Sequence, residues 1–346
     1  MVSKAVLFAQ TAAPRSRESW HRSTHCLSSG VALLPVGNKP LLRHALEELA
    51  DAGIDEVAVV AAKGMVDEVD GIVETMCSER LTAPRVIRHD GMFMDALAQV
   101  ASFAGRDPFL VHLGDSLTRG GLAPLIAGPR LRANDVMALI EETQCQATPL
   151  AAGLASLPTA GIYVFGPGVL RLAPEPDGPE DWDLAIAAAT ERLVAAGGHL
   201  EFRPVRDRWR FRPRPSALLD ANRFFLAGLA GGPTDAWLED TDLQGPVTLH
   251  PTARLTSTTV RGPVIVGPGA EIRDAYIGPY TSIGANVVIE NAEVEHSIIL
   301  PRASVRHLGG RLEASVVGEG ARIFRDFRLP RGLRVNVGEG AEIAMT

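Results

Sequence analysis

Aromatic residues are scarce in this chain: Phe, Trp and Tyr make up 5% of its 346 residues. Hydrophobic residues nevertheless reach 46%. The expected core is therefore aliphatic, built from Ala, Val, Leu and Ile, which suits α/β layers and stacked short strands. Cysteine is nearly absent too. Cys26, Cys77 and Cys145 are odd in number and fit no metal-ligand spacing, which excludes a disulfide framework and points to free thiols in a reducing compartment. There is no excess of basic residues. The net charge of −7 favours neither nucleic acid nor an anionic membrane surface. Acidic substrates stay open, because a local basic pocket can sit in an acidic protein. Long hydrophobic runs are also missing. The opening stretch MVSKAVLFAQTAAP is too short to span a bilayer and lacks a secretory cleavage pattern. It reads as the first buried strand of a cytoplasmic protein.

What is present is periodicity of two kinds. The first is βαβ grammar. Lys4 to Ala9 forms a continuous apolar run, expected as a buried strand. Pro40 suits a helix first turn, Leu41, Leu42, Ala45, Leu46 and Leu49 recur at helical spacing, and Gly53 ends the run. Glu56 to Ala61 is the next strand, so a parallel sheet with a right-handed crossover is expected. Helices over 65–79 and 95–104 precede strands over 85–87 and 108–113, and Gly114-Asp115 follows the last of these. Ligands bind at carboxyl ends of strands in open α/β sheets, which makes Asp115 a candidate site residue. Further strands are expected over 136–141 and 161–165, and further helices over 183–196 and 216–229.

The second periodicity begins near Gly245. Val260, Val266, Ile272, Ile277, Ile283, Ile289, Val294, Ile299 and Val305 are separated by five or six residues, with GP and GA punctuation between them. Neither a helix stripe nor a two-residue alternation produces that period. It fits a parallel β-helix of hexapeptide repeats, each repeat burying its apolar side only against its neighbours. The organisation expected is an α/β domain over 1–230, a Gly/Pro-rich linker over 231–244, and the β-helix over 245–346.

Several segments carry a family resemblance: LLPVGNKPLLRHALEELADAGIDEVAVV, FLVHLGDSL, AGIYVFGPGVL, LLDANRFFL and RGPVIVGPGAEIRDAYIGPYTSIGANVVIENAEVEHSIIL. In this order they resemble the long-form glucose-1-phosphate thymidylyltransferases, within the sugar-1-phosphate nucleotidyltransferases. The resemblance implies a mostly parallel, Rossmann-like sheet with helices on both faces, followed by a left-handed parallel β-helix. It also implies attack of a sugar-1-phosphate on the α-phosphate of an NTP, most simply dTTP, with Mg²⁺ and release of pyrophosphate. Such chemistry is mostly positioning and charge neutralisation.

At the positions that handle charge, the chain departs from the family pattern. The glycine-rich phosphate loop is replaced by Gln10-Thr11-Ala12-Ala13-Pro14-Arg15. Side chains stand where backbone N–H groups would approach phosphate, and Pro14 removes one donor. Arg15 matches the family's phosphate-clamping arginine, but it reads more simply as an ordinary surface arginine. Val31 stands near the family's phosphate-contacting lysine. Met92, Phe93 and Met94 replace small residues that would line a nucleotide pocket. Asp115 matches a Mg²⁺-holding aspartate, but the second aspartate is not found, and Phe211 stands near its place. The Glu-Lys-Pro of the sugar side is absent between Glu141 and Gly161, although Gly161, Glu180 and Asp183 match the sugar-contacting neighbourhood. Glu180 and Asp183 also suit the positive end of a helix.

These losses point to a pseudoenzyme: a lapsed homologue that needs no cofactor and acts as a binding, regulatory or scaffolding subunit. Its expected partners are a second copy or a pathway enzyme, with a sugar phosphate or nucleotide as candidate ligand. The Arg-rich run 203–214 reads as a contact surface or a solvated loop. Two alternatives remain. One is an active nucleotidyltransferase using Arg15, Asp115, Glu180, Asp183 and Mg²⁺. The other is a repurposed pocket using His21, His25, His89 or His112.

Overall fold

The computed structural model describes residues 2–9, 30–82, 84–89, 93–128, 131–142, 159–172, 181–212, 214, 216–232 and 235–327. Two compact units emerge. One holds the described residues up to Leu34 and from Pro40 to Phe211; the other holds Pro35–Lys39 and the chain from Arg212 onward.

Among the described residues, the first unit is built on nine strands. They are β1 (Lys4–Phe8), β2 (Glu56–Ala61), β3 (Arg85–Arg88), β4 (Phe109–His112), β5 (Ser116–Thr118), β6 (Val136–Glu141), β7 (Thr159–Phe165), β8 (Leu200–Val205) and β9 (Arg208–Arg210). Seven form one sheet in the order β8-β6-β7-β4-β1-β2-β3. Neighbours are parallel except at β7, which runs antiparallel to both β4 and β6. Strands β5 and β9 pair antiparallel as a separate ribbon.

Side-chain alternation along β1 explains the layering. Ala5 and Leu7 face a core shared with Leu42 and Leu46 of α1 (Leu41–Asp51) and Val69 and Val73 of α2 (Val66–Glu79). Val6 and Phe8 face the opposite core. It holds Phe93 and Val100 of α3 (Phe93–Ala104) and Trp182 and Ile186 of α4 (Trp182–Ala195). The sheet therefore carries helices on both faces, as expected. Helix α1 stops because Gly53 adopts φ +77, letting its N–H and that of Ile54 satisfy the last carbonyls of Ala50 and Leu49.

In the second unit, the described residues form three parallel sheets of six, five and five strands, a β-helix. Val247 lies opposite Val264, and Val264 opposite Thr281, so the first coils advance by seventeen residues. The nine aliphatic positions singled out above all point inward, each at most 2% exposed. Helix α5 (Ala217–Leu226) belongs to this unit. Its Asn222 Oδ1 accepts from the Gly37 N–H (3.0 Å) and from the Ser282 hydroxyl (2.6 Å), while its amide donates to the Tyr280 carbonyl (3.2 Å). Asn38 donates to the Ile283 carbonyl at 2.7 Å. One side of the coil is thus covered by a helix and a turn drawn from distant parts of the chain.

Candidate functional site

The carboxyl end of β4 supplies the site. Gly114 takes φ +69, and a side chain there would run into the Phe8 carbonyl, so the chain can turn only with glycine. That turn delivers Asp115, which is 9% exposed. Antiparallel β7 brings Gly161 alongside, its carbonyl accepting from the Leu113 N–H at 2.9 Å. The ribbon places Arg210 opposite Ser116, and the Phe211 N–H donates to the Asp115 carbonyl at 2.7 Å. Helix α4 begins with Asp181 as its cap, accepting from the Leu184 N–H, and with Asp183 in its first turn.

Arg210 joins these elements. Its Nε donates to Asp115 Oδ2 at 2.9 Å, and its Nη2 reaches Asp183 Oδ1 at 3.0 Å and Oδ2 at 2.9 Å. Its Nη1 donates to the Thr159 hydroxyl at 3.2 Å. The Thr159 hydroxyl in turn meets the Tyr163 hydroxyl at 2.7 Å. Only 11% of the Arg210 side chain is exposed. Burial works against its charge, but Asp115 and Asp183 outweigh burial and push its pKa upward. The Tyr163 phenol is pushed up as well, first by burial and then by the Asp183 charge. Behind Asp115, His112 is fully buried and accepts the Gly114 N–H on Nδ1 at 2.8 Å. Burial, with the Arg210 charge second, pushes its pKa down to about 3, so the ring stays neutral.

The sequence-derived candidates separate accordingly. Asp115, Gly161 and Asp183 converge on one guanidinium. Arg15 and Glu180 lie outside the described residues, as do His21, His25 and Met92. Phe211, near the expected second aspartate, contributes backbone, while the residue before it contributes the charge. Gly161 has a direct reason to be glycine: at φ +70, an added Cβ would sit 2.7 Å from Asp115 Oδ1 and 3.0 Å from Arg210 Nε. Phe93 and Met94 pack into the core, as their bulk implied.

The run 203–214 is corrected by the structure. It is not a solvated loop in its first half, because Arg203 lies in β8 and Arg208 to Arg210 form β9. Arg203 is tied down by Glu201 at 2.7 Å and by the Leu125 carbonyl at 2.7 Å. Arg210, Thr159 and Tyr163 were missed from sequence. The alternation Arg208-Trp209-Arg210 was the available signal, since it reads as a short strand with both arginines on one face. Among the described residues, no group of three or more His, Cys, Asp or Glu is arranged to hold a metal ion. His89 is occupied by Gln99 at 2.9 Å, and no described helix is long and apolar enough to cross a membrane.

No protein-family model matches the chain. Three named proteins match over nearly its whole length. The low-salt glycan biosynthesis nucleotidyltransferase Agl11 of Haloferax volcanii is 29% identical, covering 90% of this chain and 93% of its own. A glucose-1-phosphate thymidylyltransferase of Streptomyces antibioticus is 25% identical over 98% of this chain and 99% of its own. A second thymidylyltransferase, from Streptomyces griseus, is also 25% identical, over 97% and 98%. In sequence over nearly its whole length, and with the mixed sheet and β-helix in the order the sequence implied, the chain is similar to named sugar nucleotidyltransferases.

Proposed function

We propose that this chain is a catalytically lapsed sugar nucleotidyltransferase homologue, acting as a binding, regulatory or scaffolding subunit in sugar-nucleotide or specialised-metabolite biosynthesis. The observation behind this reading is Arg210. Nucleotidyl transfer by an aspartate-held Mg²⁺ needs carboxylate oxygens free to take a hard cation with near-octahedral geometry. Here Asp115 Oδ2 and both Asp183 oxygens are already engaged by one guanidinium. The other Asp115 oxygen is sealed from solvent with no hydrogen-bond partner, close to the Gly161 backbone. This donor set does not fit Mg²⁺. A buried guanidinium supplies the positive charge instead, fixed and unable to follow a substrate.

The test is a pyrophosphate-release assay with dTTP, Mg²⁺ and a series of sugar-1-phosphates, paired with calorimetric titration of dTTP. The lapsed reading expects no turnover above background. Mg²⁺-dependent release that disappears in Asp115→Ala would overturn it.

A second reading is an active enzyme, favoured by the convergence of Asp115, Gly161 and Asp183 and by the activity named for the relatives. It requires Arg210 to leave both carboxylates during the cycle. Absence of any dTTP binding would remove it.

A further inference from the structure

The outward face of the six-stranded sheet is uneven. Its strands are Trp237–Glu239, Arg254–Thr256, Glu271–Arg273, Val288–Glu290, Ser304–Arg306 and Arg322–Phe324, stacked in that order. Leu255 and Ile272, in the middle of the second and third strands, are fully buried, so the first and third residues of a strand point outward. On the last four strands the outward charges already have partners. Arg273 donates to Glu271 at 2.7 Å, and Arg306 reaches Glu290 at 3.9 Å. The Arg322 guanidinium lies 5.2 Å from the centre of the Phe324 ring.

The first two strands differ. Their register sets Trp237 opposite Arg254 and Glu239 opposite Thr256. Trp237 is 64% exposed, and Glu239 and Arg254 are exposed beside it. Among the described residues, no ring or cation covers the Trp237 indole, and no side chain pairs with the Glu239 carboxylate or the Arg254 guanidinium. The four outward residues mark the corners of a plate about 5 Å by 7 Å. They offer an aromatic face, a carboxylate that only accepts, a guanidinium that only donates, and a hydroxyl.

We propose that this plate binds an uncharged pyranose ring, either a free sugar or the end unit of a saccharide. A pyranose with equatorial hydroxyls presents only C–H bonds on its flat faces. Those hydrogens are weakly positive and rest on the negative face of the indole. The hydroxyls then point sideways around the rim. A neighbouring pair donates to the Glu239 carboxylate, and another accepts from the Arg254 guanidinium, whose fork suits two oxygens at once. Neither residue has to leave an existing partner to do so.

Charge selects the plain sugar over its phosphate esters and over nucleotides. Asp235, Asp240 and Asp242 are exposed on the same stretch of chain as Glu239, so carboxylates outnumber the one guanidinium of Arg254. A phosphate is repelled there, while a neutral ring is not. Size selects a sugar over a protein partner. Four side chains form a small fraction of the roughly 800 Å² that each partner buries in a stable protein interface. The plate lies in the β-helix unit, and the inference stands whether or not the α/β site turns over.

Saturation-transfer NMR and calorimetric titration of the full chain test it, with methyl β-D-glucopyranoside and cellotetraose as probes. Both carry all their ring hydroxyls or glycosidic bonds equatorial, so their flat faces are free to stack. Wild type is expected to bind both weakly. Trp237→Ala is expected to weaken binding about tenfold or more, and Trp237→Phe, which keeps a ring, much less. Glu239→Gln and Arg254→Ala are each expected to cost about three- to tenfold. These side chains are exposed, so unchanged melting temperatures are expected and show that each variant is folded. Tighter binding of the tetraose assigns the plate to a saccharide chain; equal binding assigns it to a single sugar. No binding of either probe, binding unchanged in Trp237→Ala, or glucose-1-phosphate binding that depends as strongly on Trp237 would each overturn the proposal.

Discussion

In the β-helix, each inward residue meets a counterpart about one coil away in sequence; at the α/β site, Arg210 meets Asp115 across 95 positions and Asp183 across 27. The first arrangement is repetitive and apolar. Its stability spreads over many similar contacts, and no single position carries it. The second is a single charge cluster, with Arg210 and Asp115 buried and Asp183 partly exposed. Breaking such a cluster leaves a charge uncompensated at a place with no equivalent elsewhere, whereas trimming one position in a repeat opens a cavity at one of many similar contacts. The contrast also bears on function: the repeat is held by apolar positions, while the candidate carboxylates of the α/β unit are gathered around one arginine.

The sharpest way to break the contrast is Arg210→Ala. It strands Asp115 and Asp183 with no cation between them, and a loss of about 3–5 kcal/mol is expected in urea denaturation. Millimolar Mg²⁺ or Mn²⁺ is expected to recover part of that loss, because two unpaired carboxylates then face an arginine-sized space. No recovery in a folded variant would show that the guanidinium does not stand in a cation-binding position. Next comes Ile272→Ala in the β-helix. Ile272 is fully buried between Leu255 and Ile289, so about 2–5 kcal/mol is expected. If this loss exceeded that of Arg210→Ala, the distributed character assigned to the repeat would be wrong.

Gly161→Ala is expected to cost about 1–3 kcal/mol, from a left-handed backbone and from the push on Asp115 and Arg210. The most gradual effect, smallest over any single pH unit, concerns pH. Glu48 of α1 is pushed up to about 8, chiefly by burial, and its Oε1 has no hydrogen-bond partner. Its folded pKa lies above the ordinary carboxylate value. Its contribution to stability is therefore fully present below about 4.5 and is lost as pH rises through 8. Glu48→Gln removes that dependence. Relative to wild type, the variant is expected to gain on the order of 1 kcal/mol per pH unit between pH 5 and 8. Parallel stability curves across that window would refute the assignment.

Much of this molecule was legible from the residues. Strand β2 falls over the expected 56–61, and the inward positions of the repeat follow from their spacing, because local periodicity dictates which side chains share a face. Asp115 could be singled out at a strand end, and Gly161 and Asp183 through the family resemblance. Their common partner could not. Arg210 lies in a run of arginines whose composition suggests solvent, and no local rule says which of them is buried.

Sequence alone determined the two architectures and their order, since each rests on short-range patterns that repeat along the chain. Tertiary structure alone decided that the candidate carboxylates are neutralised from within, and that Pro35–Lys39 and α5 serve the β-helix. The physical reason is the same in both cases. Pairing of buried charges and polar groups is set by which distant segments the sheet and coil bring within hydrogen-bond reach, and that proximity has no signature in the order of residues.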